Sequence, residues 1–179
     1  IVCEIDSLGG EMGKAADATF IQSRMLNRGK GPAVHSLRVQ SDRTKYHLYM
    51  KKCLEDTPNL FIKQAEVTSV DVEDGKITAV RTKLGAVHPV KAAVITTGTY
   101  LNGKIHIGEL NYNAGPDNVL PSTELTECLK KLGLTMRRFK TGTPARVHKR
   151  SINFDVLEKQ VGDEQIIPFA FDNEEKLEN

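Results

Sequence analysis

An apolar, β-branched run that stops abruptly at a glycine turn constrains the fold of this chain more than any other feature. The run covers Val90 to Thr96, and Thr97-Gly98-Thr99 follow directly. Such a run predicts a buried strand, and in open α/β sheets ligands lie just outside the carboxyl ends of the strands. The glycine lets the main chain approach a ligand closely, and the threonines supply hydroxyl groups. The turn is therefore a candidate wall of a nucleotide-cofactor site; a purely structural glycine turn is the alternative.

The first third of the chain predicts an opening helix, a segment that could be helix or strand, and a second helix. An opening helix is expected to end at Gly9-Gly10, where glycine can adopt the left-handed conformation. Residues 12–26 are compatible with either a helix or a short strand. Ser41 is the expected N-cap of a helix with an apolar stripe that ends before Pro58.

The middle of the chain predicts an antiparallel meander and a third helix. Residues 60–72 are expected to be extended and to pair with residues 77–83 through a turn that contains Asp74-Gly75. Residues 111–121 are expected to form a loop, and Ser122 is the natural N-cap of the helix that follows.

The sequence contains no pattern typical of a membrane span or a metal site. No apolar run approaches the ~20 residues that a span requires. Cys3, Cys53 and Cys128 are isolated and the five histidines lack ligand spacing, so we predict no metal and a reducing compartment. Cys53 and Cys128 lie on apolar helical stripes and are expected in the core. Because the chain begins at Ile1, within an apolar helical pattern, we expect it to be a piece of a longer protein.

Charge is distributed unevenly, although the formal net charge is only +2. Residues 137–150 carry six basic side chains and no acidic one, and residues 24–45 carry six basic side chains against one acidic. Acidic side chains dominate residues 155–179. Clustered positive charge can meet the phosphates of a cofactor or of a nucleic acid, and a solvated face is the alternative. The change from mainly basic to mainly acidic side chains predicts two domains, 1–142 and 143–179.

The glycines do not form the phosphate-binding turn of a dinucleotide fold. That turn needs Gly-x-Gly-x-x-Gly after a strand, whereas the glycines at 9, 10 and 13 have a different spacing and follow a helix. A meander followed by a strand and a small-residue turn resembles instead the middle of an FAD-binding, Rossmann-like domain of the glutathione-reductase type. This resemblance implies an α/β fold in which residues 1–142 are part of the FAD-binding domain, with an inserted antiparallel meander. The glycine-rich motif would lie upstream, and residues 143–179 would begin an inserted second domain.

Four phrases, in this order, are more specific. They are EIDSLGGEMGKAAD at 4–17, KGPAV at 30–34, TGTYLNGKIHIG at 97–108, and KTGTP at 140–144 with Arg146. Together they resemble the glucose-inhibited division protein A family. The resemblance extends from Ile1 to about Phe171.

The resemblance implies an FAD-dependent tRNA-modifying enzyme of the cytoplasm that uses NADH. Members work as homodimers with a GTP-hydrolysing partner, MnmE, with which they form a heterotetramer. Together they add a carboxymethylaminomethyl or aminomethyl group to carbon 5 of the wobble uridine of tRNA. Methylenetetrahydrofolate is the one-carbon donor.

The resemblance also assigns cofactor residues. Val67 matches a position that contacts the adenosine part of FAD, Ser122 matches a second FAD contact, and Thr97-Gly98-Thr99 match the small-residue turn. The reactive cysteines and most of the NADH site of the family align outside this chain. Catalytic residues are therefore not identified, and the chain alone is expected to be inactive.

Four basic residues are candidates for contact with tRNA or flavin. Lys30 and Arg38 flank the KGPAV phrase, and Lys140 and Arg146 flank the second Thr-Gly-Thr turn. Chemistry on an anticodon base needs the uridine unstacked while cations hold the phosphates. Two other functions remain open: a folate- and FAD-dependent tRNA uridine methyltransferase, and a module that binds tRNA or a partner without chemistry.

Overall fold

The chain forms two compact units in the computed structural model, which describes residues 1–142, 144 and 147–173. The first unit combines Ile1–Ile62 with Ala145–Asn179, and the second is Lys63–Pro144. The first unit is thus built from two stretches that are distant in sequence. The predicted domain boundary near residue 142 concerns the whole protein and stays a prediction.

The described part of the first unit contains three helices and a two-stranded antiparallel sheet. The elements are α1 Val2–Ser7, α2 Met12–Thr19, β1 Phe20–Leu26, β2 Ser36–Ser41 and α3 Arg43–Asp56, with short 3-10 turns at Arg28–Lys30, Pro32–Val34, Lys149–Ser151 and Phe154–Val156. The first helix ends just before Gly9, whose φ of +83° is the left-handed conformation predicted there. The segment that was compatible with helix or strand is both, since β1 follows α2 without a loop.

The predicted cap of α3 is wrong by one residue. Asp42, not Ser41, caps the helix, because its Oδ1 accepts hydrogen bonds from the backbone N–H groups of Thr44 (2.9 Å) and Lys45 (3.0 Å). Ser41 is instead the last residue of β2, where it pairs with Phe20. A serine that belongs to a strand ladder has a backbone already committed to that strand, so the next polar residue takes over the cap.

The predicted core position of Cys53 is also wrong, because no residue of α3 is buried and Cys53 is only half-buried. Leu54, on the same apolar stripe, is 41% exposed. Cys128 of the second unit is half-buried as well, although its Sγ lies 3.4 Å from the backbone nitrogen of Val70. A helical stripe shows that a face is apolar, but burial depends on what packs against it.

Two buried aspartates attach the distant end of the first unit to its helices. Asp17 of α2 accepts hydrogen bonds from the backbone N–H groups of Phe169 and Ala170, both at 2.9 Å. Asp6 of α1 accepts one from the backbone N–H of Phe171, also at 2.9 Å. Charged acceptors form strong hydrogen bonds to backbone donors, so these contacts fix residues 169–171 against α1 and α2.

The described part of the second unit contains two antiparallel sheets and one helix. The elements are β3 Val67–Glu73, β4 Lys76–Thr82, β5 Val87–Pro89, β6 Lys104–Ile107, β7 Leu110–Asn113 and α4 Glu124–Lys131, with a 3-10 turn at Pro116–Asn118. The order β3-β4-β5 confirms the predicted meander. The loop predicted over residues 111–121 is wrong at its start, because β6 and β7 form a second hairpin that includes residues 111–113.

The core of the second unit lies between α4 and β3. Val70, Leu125 and Leu129 form the buried cluster, and partly buried apolar side chains surround it, among them Val67 and Leu101. The cluster is small because one amphipathic helix covers one face of a three-stranded sheet.

The buried strand predicted over residues 90–96 is wrong. Val94 is 88% exposed, Ile95 is 43% exposed, and no strand is formed there. The backbone N–H of Val90 still donates to the Thr78 carbonyl (3.0 Å), after which the run leaves the sheet. A β-branched run forms a strand only where a neighbouring strand accepts its hydrogen bonds, and within the described residues none lies beside it.

Candidate functional site

The Thr-Gly-Thr turn forms a tight, open loop. The carbonyl of Thr97 accepts a hydrogen bond from the backbone N–H of Tyr100 (3.0 Å), which closes a four-residue turn. Gly98 has a φ of +53°, and a Cβ placed on it would meet no atom within 4 Å. Thr99 is exposed and Thr97 is half-buried. The turn therefore leaves space beside Gly98 that a ligand can approach.

Close backbone packing holds the residues after this turn. A Cβ on Gly103 would lie 2.5 Å from the Ala114 carbonyl oxygen and 2.8 Å from the Thr99 carbonyl oxygen. Real Cβ atoms do not approach that closely, so only glycine allows this approach of the two loops. Gly103 thus fixes the end of the turn against the residue that follows β7.

Ser122 lies beside the same turn. Its backbone N–H donates to the Tyr100 carbonyl (2.9 Å), and its own carbonyl accepts from the Asn102 N–H (3.0 Å). These bonds form an isolated parallel bridge between Leu101 and Ser122. The predicted helix cap is wrong: Thr123 occupies the cap position of α4 and makes no capping hydrogen bond from its side chain. Because its backbone is engaged in this bridge, Ser122 stands one residue before the cap.

Val67 packs against the core of the same unit. It opens β3 opposite Thr82 and packs, half-buried, against the cluster formed by Val70, Leu125 and Leu129. Leu101, two residues after Thr99, packs against that cluster as well. The predicted cofactor residues therefore all lie in one unit, around one small core. Whether each contacts FAD stays a prediction.

The described basic candidates are divided between the two units. Lys30 is exposed at the end of a 3-10 turn of the first unit, and Lys140 is exposed in the second unit. Arg146 lies outside the described residues. Arg38 differs from them, because it is half-buried and lines a cleft. Contacts of Lys30, Arg38, Lys140 and Arg146 with tRNA or flavin stay predictions.

We refer to this cleft of the first unit as the arginine cleft. It has a volume of about 370 Å³ and is lined by Arg24, Met25, Leu26, Asn27, Arg28, Arg38, Gln160 and Asp163. Arg24 of β1 and Arg38 of β2 are direct partners across the two strands. Lys30 is not among the lining residues.

Among the described residues that line the arginine cleft, Asp163 is the only carboxylate, and it already has partners. Its Oδ2 accepts from the backbone N–H of Met25 and from an Nη of Arg28, both at 2.7 Å. Its backbone N–H donates to the carbonyl of Ser23 (2.9 Å). Asp163 thus attaches the second stretch of the unit to β1 and neutralises Arg28. In the described structure, the Nε of Arg38 is buried without a hydrogen-bond partner.

Residues 1–142, 144 and 147–173 contain neither a candidate metal site nor a helix that could span a membrane. Within them, no group of three or more His, Cys, Asp and Glu side chains is arranged to hold a metal ion. No helix there has both the length and the apolar character needed to cross a membrane.

The family described as glucose inhibited division protein A matches residues 1–179. The chain belongs to this family. A relative from Caldicellulosiruptor saccharolyticus, named tRNA uridine 5-carboxymethylaminomethyl modification enzyme MnmG, is 60% identical over 174 residues, or 97% of this chain and 28% of the relative. A protein of the same name from Alkaliphilus metalliredigens is 56% identical with the same coverage. The family resemblance carried by the four phrases is thereby confirmed.

The crystal structure of Aquifex aeolicus GidA supports the same assignment. It matches with a TM-score of 0.88 and 47% identity, covering 97% of this chain and 29% of that chain. The predicted fold class is confirmed by this match to a family member. The chain spans less than a third of the length of these glucose inhibited division protein A relatives.

For this member of the glucose inhibited division protein A family, the sequence did not indicate that Arg24 would line the arginine cleft. Arg24 was visible only as part of a basic stretch, and its position opposite Arg38 depends on the register of β1 and β2. The spacing of Ile21, Ser23 and Met25 at every second position was the available signal, since it was compatible with a short strand. It did not indicate the partner strand.

Proposed function

We propose that the whole protein is an FAD-dependent, NADH-using enzyme that modifies carbon 5 of the wobble uridine of tRNA. The group added is carboxymethylaminomethyl or aminomethyl, and methylenetetrahydrofolate supplies its one-carbon unit. The enzyme acts in the cytoplasm as a homodimer together with the GTPase MnmE. One observation carries the proposal: the family match extends over residues 1–179, and relatives that share the MnmG name are 53–60% identical to the chain.

The turn beside Ser122 fits a role in holding FAD. The space beside Gly98 is open, and the surrounding backbone is fixed by hydrogen bonds and by the close contact of Gly103. Thr97, Gly98, Thr99 and Ser122 would hold the cofactor, with Val67 on its adenosine side. When bound, the flavin supplies hydride and electron transfer. The residues of this chain bind and orient it, while the groups that carry out the chemistry would come from the rest of the protein.

The first experiment tests the reaction. The gene is deleted in its host, and the nucleosides of total tRNA are analysed by mass spectrometry before and after complementation with the whole protein. We expect the modified wobble uridine to disappear in the deletion strain and to return on complementation. An unchanged nucleoside profile contradicts the proposal. Loss of a methylated T-loop uridine instead identifies the folate-dependent methyltransferase, and flavin-free protein that binds tRNA identifies the non-catalytic module.

The second experiment tests the cofactor site in the purified whole protein. Gly98→Ala places a methyl group in the open space of the turn, and Gly75→Ala is the matched control. Gly75 also has a left-handed φ (+74°) and open space around it, but it lies in the turn between β3 and β4. Both variants carry a similar backbone strain of about 1 kcal/mol. We expect only Gly98→Ala to lose visible flavin absorbance; equal flavin content in both variants contradicts the assignment of this turn.

A further inference from the structure

Within the part of the chain that the structure describes, two arginines lie opposite each other across two strands in the arginine cleft, without a counter-charge of their own. Arg24 and Arg38 are directly paired across the antiparallel strands β1 and β2, and both are half-buried. Like charges directly opposite each other on a sheet are destabilising. Within the described residues, neither side chain forms an ion pair. The fold therefore maintains an electrostatically unfavourable pair at this position.

Asp163, the carboxylate that lines the cleft in the described structure, does not relieve this repulsion. Asp163 neutralises Arg28 at 2.7 Å and also accepts the backbone N–H of Met25. Among the described residues, three arginines and one aspartate give the cleft lining a net charge of +2. The buried Nε of Arg38 is a donor without a partner in the described structure, and a buried unpaired donor costs free energy. Both features are removed if an anion enters the cleft.

We propose that the arginine cleft binds a phosphate group between Arg24 and Arg38. A guanidinium group presents its N–H donors in a planar fork that matches phosphate oxygens, so two neighbouring guanidinium groups can bind one phosphate together. A volume of about 370 Å³ is within the range of ligand sites and accommodates a phosphate with part of the molecule that carries it. Asp163 also lines the cleft, but its negative charge is paired with Arg28.

The phosphate has two possible sources, a phosphodiester of the tRNA backbone or the pyrophosphate of FAD. The choice between them rests on the proposed function, whereas phosphate binding itself can be measured without it. Lys30 and Arg38 were predicted to contact tRNA or flavin from the KGPAV phrase alone. The structure separates them, because Arg38 lines the cleft and Lys30 does not.

The first test uses inorganic pyrophosphate and the whole protein. Wild type, Arg24→Gln, Arg38→Gln and the control Lys45→Gln are titrated by calorimetry at low ionic strength. Lys45 is an exposed lysine on α3, outside the cleft, so its substitution changes the net charge equally. We expect about tenfold weaker binding for each arginine variant and no change for the control. Equal affinity in all four proteins, or no binding by wild type, overturns the proposal.

Thermal unfolding without added anion separates a binding role from a structural one. If Arg24 and Arg38 repel each other, Arg24→Gln raises the Tm of anion-free protein relative to Lys45→Gln. If instead a carboxylate from another part of the whole protein occupies the cleft, Arg24→Gln and Arg38→Gln both lower the Tm. That second result overturns the proposal, because the counter-charge would then be permanent.

A final pair of measurements distinguishes the two sources. For tRNA, the affinity of Arg38→Gln is measured across a range of salt concentrations. We expect the slope of log affinity against log salt concentration to decrease by about one, which corresponds to one lost phosphate contact. For FAD, the flavin content of the purified variant is measured. A reduced salt dependence with normal flavin content assigns the cleft to tRNA, and flavin loss assigns it to the cofactor. If neither quantity differs from that of Lys45→Gln, the proposal is overturned even when the tRNA modification itself is intact.

Discussion

Replacing Asp17 by alanine should release residues 169–171 from the helices of the first unit. Asp17 is only 4% exposed, and its two carboxylate oxygens accept separate hydrogen bonds, Oδ1 from Phe169 and Oδ2 from Ala170. Ala170 is itself 3% exposed, so water does not readily replace the lost acceptor. The alanine variant therefore leaves two backbone donors unpaired in a buried place.

The size of the effect follows from the number and kind of these bonds. A hydrogen bond to a charged group contributes about 1.5–3 kcal/mol, so losing two should destabilise the attached segment by about 3 kcal/mol or more. Asp17→Asn keeps one acceptor oxygen and should cost roughly half as much. Asp172→Ala is the control, because its side chain is 87% exposed and lies 3.8 Å from Lys14. Such surface ion pairs contribute about 0–1 kcal/mol.

Hydrogen–deuterium exchange measured by mass spectrometry resolves this segment in the whole protein. A loss of about 3 kcal/mol corresponds to exchange about 100-fold faster for peptides covering 169–171 in Asp17→Ala. Asp17→Asn should give an intermediate increase, and Asp172→Ala almost none. Peptides from β4, in the second unit, provide the internal reference and should not change. If Asp17→Ala and Asp172→Ala exchange alike, the two carboxylate contacts do not hold the segment, and the reasoning is refuted.

Three further predictions concern other contacts. Gly103→Ala should destabilise the second unit by about 1–3 kcal/mol in urea unfolding, because its Cβ would overlap two backbone carbonyls; a loss below that of an ordinary surface substitution contradicts this. Arg81 donates to both carboxylate oxygens of Asp71 at 2.8 Å, which lowers the pKa of Asp71 below its ordinary 3.8. The stability that this pair contributes is complete above pH 3.8 and is lost as the pH falls through the lowered pKa. In Arg81→Gln, the free energy of unfolding should therefore fall less steeply as the pH is lowered below 3.8. The hydrogen bond from Tyr49 to Glu11 (2.8 Å), together with burial, raises the pKa of Tyr49 to about 12. Its contribution to stability is present below pH 10 and is lost as the pH rises through about 12; a phenolate absorbance titration of Tyr49→Phe should lack this late step.

Local patterns predicted the elements whose stability comes from neighbours in sequence. The hairpin formed by β3 and β4 was predicted because two alternating strands flank an Asp74-Gly75 turn, and residues a few positions apart supply all its hydrogen bonds. Cap positions were off by one, at Ser41 and again at Ser122. In both cases a backbone hydrogen bond to a distant residue held the serine before the helix began.

Contacts between distant parts of the chain could not be predicted in this way. The bonds from Asp17 to Phe169 and Ala170 join residues more than 150 positions apart, and no periodicity relates them. The pairing of Arg24 with Arg38 depends on strand register, which side-chain alternation does not specify until the partner strand is known. Composition indicated that the region was basic, but not that two of its charges face each other.

The apolar run over residues 90–96 and the turn after it behave differently, which bears on how the proposed cofactor site would be built. The run remains exposed and forms no strand, yet the turn at Thr97-Gly98-Thr99 is closed by its own hydrogen bond and followed by the close contact of Gly103. The shape of the turn is therefore determined by residues 97–122 and not by the strand predicted before it. It follows that a ligand at Gly98 would meet a turn that is already formed. Pairing of residues 90–96 with a further strand would position this turn without changing its conformation.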